Sequence, residues 1–196
     1  MTLPIETTTA SDAERVIAGM VLAFSTDPAV RWMYPDAHQY LTNFPKFAKA
    51  FGGKAFEQNT AYCINGYSGA ALWLGPGVEP DEEAMIALLQ HSVPEREQED
   101  VFAVFEQMGN YHPSEPHWYL PLIGVEPTQQ RQGYGSALMK HALMSCDRDN
   151  KLAYLESSNP DNSPFYERHG FELLGTIQVG ASPPIFPMLR YPLSNV

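Results

Sequence analysis

The sequence predicts an α+β fold, a mixed sheet flanked by helices. Three observations predict it. Patterned segments follow one another as strand, helices, hairpin, helices, strand, helix, strand, helix, strand, strand. The helical segments carry apolar stripes at helical spacing, while the strand segments are rich in aromatic and β-branched residues. Finally, Pro121 stands in the middle of the strand Trp118 to Val125. A proline cannot donate to a ladder, so the strand needs a bulge or a parting from its neighbour there.

In chain order, Leu3 to Thr8 forms a first strand. Ser11-Asp12-Ala13-Glu14 reads as a capping box, so a helix begins at Asp12 and buries Val16, Ile17, Met20, Val21 and Phe24. Phe24 to Pro35 reads as a turn and a short helix. Tyr40, Phe44, Phe47 and Phe51 make a helical stripe, with a kink or break expected at Pro45. Lys54 to Asn65 and Tyr67 to Leu74 read as two strands joined at Asn65-Gly66, a hairpin signal. Residues 80–112 form a helical insertion. Its first helix starts at Asp81-Glu82-Glu83 and presents Met85, Leu88 and Leu89; its second presents Val101, Phe105 and Met108. The insertion is a solvated helix pair or a substrate lid. Leu152 to Ser157 is the next strand, and Pro164 to His169 a short helix ended by Gly170. Phe171 to Val179 and Ile185 to Leu193 close the sheet.

Residues 1–196 are expected to form one domain. Its 12 Lys and Arg against 23 Asp and Glu leave a net charge of −11. Phosphate neutralisation needs clustered cations, so nucleic acid is not the expected partner. The acidic surface serves solubility or steers cationic amines inward. No run approaches the roughly 20 apolar residues of a membrane span, and the N-terminus shows no secretory signal. Cys63 and Cys146 have neither metal nor redox spacing, so a cytoplasmic protein with reduced thiols is expected. The six His residues show no paired metal spacing, and no metal is expected.

The chain is organised around residues 117–144, a strand, a glycine turn and a helix. The turn is Gln130-Arg131-Gln132-Gly133-Tyr134-Gly135, and from Ser136 onward Leu138, Met139, Ala142, Leu143 and Cys146 recur at helical spacing. A glycine turn opening a helix leaves several backbone N–H groups unpaired at the positive end of the helix dipole, which makes an anion site. The Gly-Lys-Ser/Thr ending of a P-loop is absent, and so is G-x-G-x-x-G. The spacing Gln130-x-x-Gly133-x-Gly135 after a strand resembles the pyrophosphate turn of the GNAT superfamily of acyl-CoA-dependent N-acyltransferases. A second motif supports the resemblance: Asn159, Tyr166, Gly170 and Phe171 have the spacing of the superfamily's Asn, Tyr and Gly-Phe. Asn162 stands where the superfamily often has Ala. Within the family, residues 113 to 175 are most similar to puromycin N-acetyltransferase-like members. They share Pro116-His117-Trp118-Tyr119-Leu120, Leu155-Glu156-Ser157-Ser158 and Asn162-Ser163-Pro164-Phe165-Tyr166-Glu167-Arg168.

The resemblance implies the GNAT fold, a central mixed six- to seven-stranded sheet with splayed middle strands. It implies acetyl-CoA as co-substrate and transfer to the amine of a small molecule. Protein or peptide acetylation and a non-catalytic acyl-CoA-binding module are the alternatives. A homodimer is an allowed assembly. The donor would lie along Ile123 and Val125, with its pyrophosphate over the N–H groups from Gln130 and Arg131 through Gln132, Gly133, Tyr134 and Gly135 to Ser136. Tyr166 would protonate the leaving thiolate; otherwise it is a buried structural tyrosine. Asn159 would bond the pantetheine or cap a helix before Pro160. A free amine is mostly protonated at neutral pH, so a base is needed. Glu156 and His117 are the candidates, though His117 also reads as a strand-end residue and Glu156 as a partner for an Arg. Arg31, Trp32 and Tyr34 are candidate acceptor contacts, or the two aromatics pack the core edge.

Overall fold

The computed structural model describes residues 4–193. The Leu3 end of the first expected strand lies outside them. β1 (Ile5–Thr8) leads to α1 (Ala13–Ala23), α2 (Pro28–Met33), α3 (Ala37–Gly52) and α4 (Lys54–Glu57). The hairpin β2 (Ala61–Ile64) and β3 (Gly69–Leu74) follows, then α5 (Glu82–Ser92) and α6 (Glu95–Tyr111). β4 (Trp118–Val125), α7 (Tyr134–Arg148), β5 (Ala153–Ser157), α8 (Ser163–Glu167), β6 (Glu172–Leu173) and β7 (Phe186–Arg190) complete the order.

The seven strands form one sheet in the order β1-β2-β3-β4-β5-β7-β6. All neighbours are antiparallel except β4 and β5. Each face carries its own apolar cluster. One gathers side chains of α1, α2, α3, α5 and α6 with Tyr119 and Tyr154. The other gathers α7 and α8 with Trp118, Leu120 and Leu155. Alternate residues of β4 and β5 therefore serve opposite faces, as the two-residue strand period requires.

Several local expectations change. The first helix is entered one turn earlier than expected: Ala10–Asp12 is a 3-10 turn, and the Thr9 N–H donates to the Asp12 carboxylate at 3.0 Å. α3 runs through Pro45 unbroken. Its buried Tyr40, Phe44, Phe47 and Phe51 outweigh the missing bond, and consecutive rings stand 5.2 to 6.3 Å apart. The expected strand from Lys54 is a helical turn until Glu57, because Ala55 and Phe56 bury their side chains; Asn59 then turns the chain at φ 56. The expected strand from Phe171 pairs only at Glu172–Leu173 and again at the Ile177–Ile185 bridge. Between them the backbone at Gly175 passes under the ring of Tyr111. The Asn65-Gly66 hairpin forms with both residues at positive φ, 52 and 62.

The feature that positions the site is the parting of β4 from β5. They pair in parallel only at Trp118–Ala153 and Tyr119–Tyr154. On its other side β4 stays paired to β3 as far as Val125, with a register slip between Leu72 and Leu74. The slip places one extra β4 residue opposite β3 in the stretch that holds Pro121, a bulge of the kind a mid-strand proline requires.

Candidate active site

The bulge redirects the backbone of β4. The Trp118 N–H donates to Leu152, toward β5, and the Glu126 N–H donates to Ser68, toward β3. In a regular strand, N–H groups eight residues apart point the same way. Here they point oppositely, so the alternation has slipped by one. Counting back from Glu126, the N–H groups of Val125 and Ile123 face the side where β5 has departed. No strand takes them there.

The glycine turn follows directly. Arg131 and Gly133 take positive φ, 63 and 86, and Gly133 caps the fifteen-residue α7. Nothing lies within 4 Å of the place a Cβ would occupy at Gly133. Arg131, Gln132 and Gly133 are exposed, and Arg131 makes no ion pair among the described residues. Gln130 Nε2 ties the turn to the Val125 carbonyl at 3.2 Å. Tyr134 points its ring into the core and its hydroxyl to Gln132 at 3.2 Å, so its share in an anion site is its backbone. Ser136 bonds His169 Nε2 at 2.9 Å, and His169 Nδ1 stands 2.8 Å from the Phe165 carbonyl. A carbonyl only accepts, so Nδ1 carries the hydrogen and Ser136 donates to the neutral ring. The open face of this turn, rich in N–H groups and free of side-chain bulk, fits a pyrophosphate.

Tyr166, on α8, is 7% exposed in the apolar cluster of Leu120, Leu155 and Phe171. Burial, and then the charge of Asp27, push its phenol well above the ordinary tyrosine range. It therefore keeps its proton in the resting site. Asn159 caps the 3-10 turn Pro160–Asn162, accepting from the Asp161 N–H at 3.0 Å, the capping alternative of the sequence reading.

On the opposite face an apolar pocket opens against β4 and β5. Phe24, Trp32, Met33, Phe47, Phe105 and Met108 are among its walls, and Glu156 and Ser158 are its polar groups. The second insertion helix, α6, thus forms a wall of the pocket. Glu156 stands on the face of β5 that Tyr154 also serves, and its side chain is 4% exposed. Its Oε2 accepts from the Tyr119 hydroxyl at 2.8 Å. Its Oε1 lies 3.1 Å from His112 Nε2. Glu156 has no Arg partner among the described residues.

The other expected acceptor residues are placed differently. Trp32 lines the pocket. Tyr34 is fully buried, shares a 3.0 Å hydrogen bond with Ser92, and packs the core instead. Arg31 turns back to the Pro35 carbonyl at 2.6 Å. His117 lines a separate outer groove with Glu79, Glu82, Glu106, His112 and Tyr119. Three groups escaped the sequence reading. Asp27 caps α2, accepting from the Val30 N–H at 3.0 Å and from the Ser158 hydroxyl, and burial raises its carboxyl. His112 and His169 are brought in only by the chain's return; the adjacency of His169 to the Gly170-Phe171 motif was the one available signal. Among the described residues no cluster of three or more His, Cys, Asp or Glu is placed to hold a metal ion. No helix among them is long and apolar enough to cross a membrane.

Residues 92–173 match the family model of the acetyltransferase (GNAT) domain. An uncharacterized N-acetyltransferase of Schizosaccharomyces pombe is 28% identical over 182 residues, 83% of this chain and 71% of that protein. A solved structure described as histone acetyltransferase HPA2 and related acetyltransferase, from Corynebacterium glutamicum, superposes with a TM-score of 0.69 at 22% identity, covering 100% of both chains. Arylalkylamine N-acetyltransferase 2 from Aedes aegypti superposes with a TM-score of 0.68 at 10% identity, covering 97% of this chain and 99% of that one. The seven-stranded sheet parted between β4 and β5 is the GNAT fold, and residues 92–173 within it match the GNAT acetyltransferase domain.

Proposed function

We propose that the chain transfers the acetyl group of acetyl-CoA to the amine of a small molecule with an apolar body, by direct attack in a ternary complex. The observation that carries this reading is the parting of β4 from β5. It leaves N–H groups unpaired beside a turn suited to a pyrophosphate, with an apolar pocket holding one buried carboxylate on the far side. The N–H groups of Ile123 and Val125 would meet the acyl carbonyl and pantetheine amides. Preorganised donors of this kind stabilise charge as it builds on the oxygen. Glu156 would take the proton of the attacking amine. Tyr166 would pass its proton to the sulfur as the adduct collapses and regain one from the remaining N–H of the charged adduct nitrogen, so that CoA leaves as a thiol and the phenol is restored.

The acceptor class follows from the pocket walls. Aromatic and aliphatic side chains suit an apolar body, while nothing but Glu156 and Ser158 would meet a second polar group. An arylalkylamine is the kind of amine that the name of the Aedes aegypti neighbour carries. The likeness of residues 113 to 175 to puromycin N-acetyltransferase-like enzymes concerns the donor half. Most of the pocket wall, from Phe24 to Phe51 and from Val101 to Met108, lies outside it. The roof that α6 makes over the pocket speaks for a small acceptor rather than a peptide.

Calorimetric titration with acetyl-CoA, CoA and NADH tests the donor. Binding of the first two and not the third is expected; no CoA binding sinks the assignment. Thiol release with phenethylamine, agmatine and a peptide then tests the acceptor. Turnover of phenethylamine above the others is expected, and preference for agmatine or the peptide overturns the apolar-body reading.

A further inference from the structure

The apolar pocket and the outer groove share Phe51, Phe105 and Met108 as a common wall. One polar route crosses it. His117, just before β4, sits in the groove; His112, at the end of α6, lies between it and Glu156. The imidazole of His112 is wedged against Tyr119 and Tyr154, with ring centroids 4.6 and 4.4 Å away. The route's protonation follows from one backbone carbonyl. His117 Nδ1 is 2.8 Å from the carbonyl of Glu115. A carbonyl only accepts, so this nitrogen carries its hydrogen. In the neutral ring Nε2 is then a lone pair. It faces His112 Nδ1 at 3.3 Å, which must donate. Neutral His112 is left with a lone pair at Nε2, 3.1 Å from Glu156 Oε1. That oxygen is buried, and no hydrogen bond of good geometry reaches it, the His112 contact included. The 3.1 Å separation is short enough for a proton to pass once the two groups align.

We infer that His112 and His117 form a proton exit that carries the acceptor amine's proton from Glu156 to the outer groove. The inference rests on Glu156 being the group that takes the amine proton. The O–H bond on Oε1 breaks as N–H forms at His112 Nε2. His112 gives its Nδ1 hydrogen to His117 Nε2, and His117 breaks its bond to the Glu115 carbonyl and gives its own Nδ1 hydrogen to groove water. One proton enters, one leaves, and no charge is left behind; exchange with water restores both rings. The two histidines are positioning and relay groups, since neither touches substrate. Glu79, Glu82 and Glu106 around the groove, Tyr119 on β4 and Tyr154 and Glu156 on β5 are the titratable groups that face the pair. Burial, and then the neighbouring His112, hold the His117 imidazolium below the ordinary histidine range, against the Glu115 carbonyl and the charges of Glu79 and Glu156. His117 is thereby biased toward its neutral, accepting form.

Two measurements test the exit. Nitrogen NMR of the histidine-labelled chain, assigned with His112→Gln and His117→Gln, should show both rings as the Nδ1–H tautomer. An Nε2–H tautomer at either ring fills the gap and overturns the inference, whatever the activity. In the kinetics, His112→Gln should lower kcat about tenfold or more and leave acetyl-CoA affinity within about twofold. Added imidazole should restore part of the rate to His112→Gly. His117→Gln, which keeps a donor for the Glu115 carbonyl, should lose less and lose the acid limb of the pH profile. Wild-type kcat and pH profile in His112→Gln sink the exit while leaving Glu156 as base. Wild-type kcat in Glu156→Gln sinks the base and the exit together.

Discussion

Where β5 leaves β4, two residues past the last paired position, the Tyr119 hydroxyl donates to Oε2 of Glu156 at 2.8 Å. The phenol is held well above its ordinary range, first by burial and then by the Glu156 charge. Donor and acceptor roles are therefore fixed. Tyr119→Phe should cost about 1–3 kcal/mol of stability by stripping a donor from a buried carboxylate. Chemical denaturation checks the stability, and titration should find acetyl-CoA affinity unchanged.

Tyr166→Phe should reduce kcat about a hundredfold, within the usual range for a positioned acid. Acetyl-CoA binding should stay within about twofold. Because burial and Asp27 raise the phenol's pKa, the wild-type rate should show no alkaline loss from Tyr166 below the ordinary tyrosine value of about 10. Steady-state kinetics against pH, paired with calorimetry, reads both.

Gly133→Ala should weaken acetyl-CoA binding and destabilise the fold by about 1–2 kcal/mol. Space is not the reason, since nothing lies within 4 Å of the added carbon. The cost comes from φ 86, which an L side chain adopts poorly. Calorimetry and thermal unfolding separate the two effects.

Trp32→Ala should raise KM for an apolar amine about tenfold, equivalent to about 1.4 kcal/mol of lost contact. KM for acetyl-CoA should not move. Initial-rate kinetics with each substrate varied in turn distinguishes these.

Arg190 is 4% exposed and grips Asp147 through two bonds of 2.8 and 2.9 Å, while its Nε holds the His169 carbonyl at 3.1 Å. Arg190→Ala should cost about 1–3 kcal/mol, because it strips donors from the partly exposed Asp147 carboxylate and from the His169 carbonyl. Burial raises the Asp147 pKa, but hydrogen bonds from Arg190 and the Leu193 N–H, with the Arg190 charge, outweigh it and leave it lowered. A lowered folded pKa gives stability that is complete above the unfolded value of about 3.9 and is lost as pH falls through the folded one. Denaturation between pH 6 and pH 2 should show this acid loss in the wild type and less of it in Arg190→Ala.

What the sequence made legible follows the range of the interactions concerned. The glycine turn, the helix behind it and Pro121 as a mark of irregular pairing are local signals, and the structure bears out the turn, the helix and the bulge. The stripe Tyr40, Phe44, Phe47, Phe51 was legible as a helix, but not that its packing would carry the helix through Pro45. Lys54 to Glu57 misled because Ala55 and Phe56 look the same buried in a strand or a helix. The polar neighbours of Glu156 were hidden for a different reason. Tyr119 is 37 residues away in sequence, and His112 reaches it only because α6 ends over the parted strands. No spacing rule records a contact made by tertiary return.

The extra residue in β4 acts as a reading frame for the backbone. Ahead of Pro121 the odd and even positions serve one allocation of hydrogen bonds, and beyond it they serve the other. Removing one residue from Leu120-Pro121 would restore a single frame along the whole strand. The chain on either side would keep its orientation, because the pairing with β3 already skips that residue, and Ile123 and Val125 would still turn their N–H groups away from β3. The irregularity is therefore local: it absorbs one surplus residue beside Pro121 and leaves the pairs on both sides of it in step with β3.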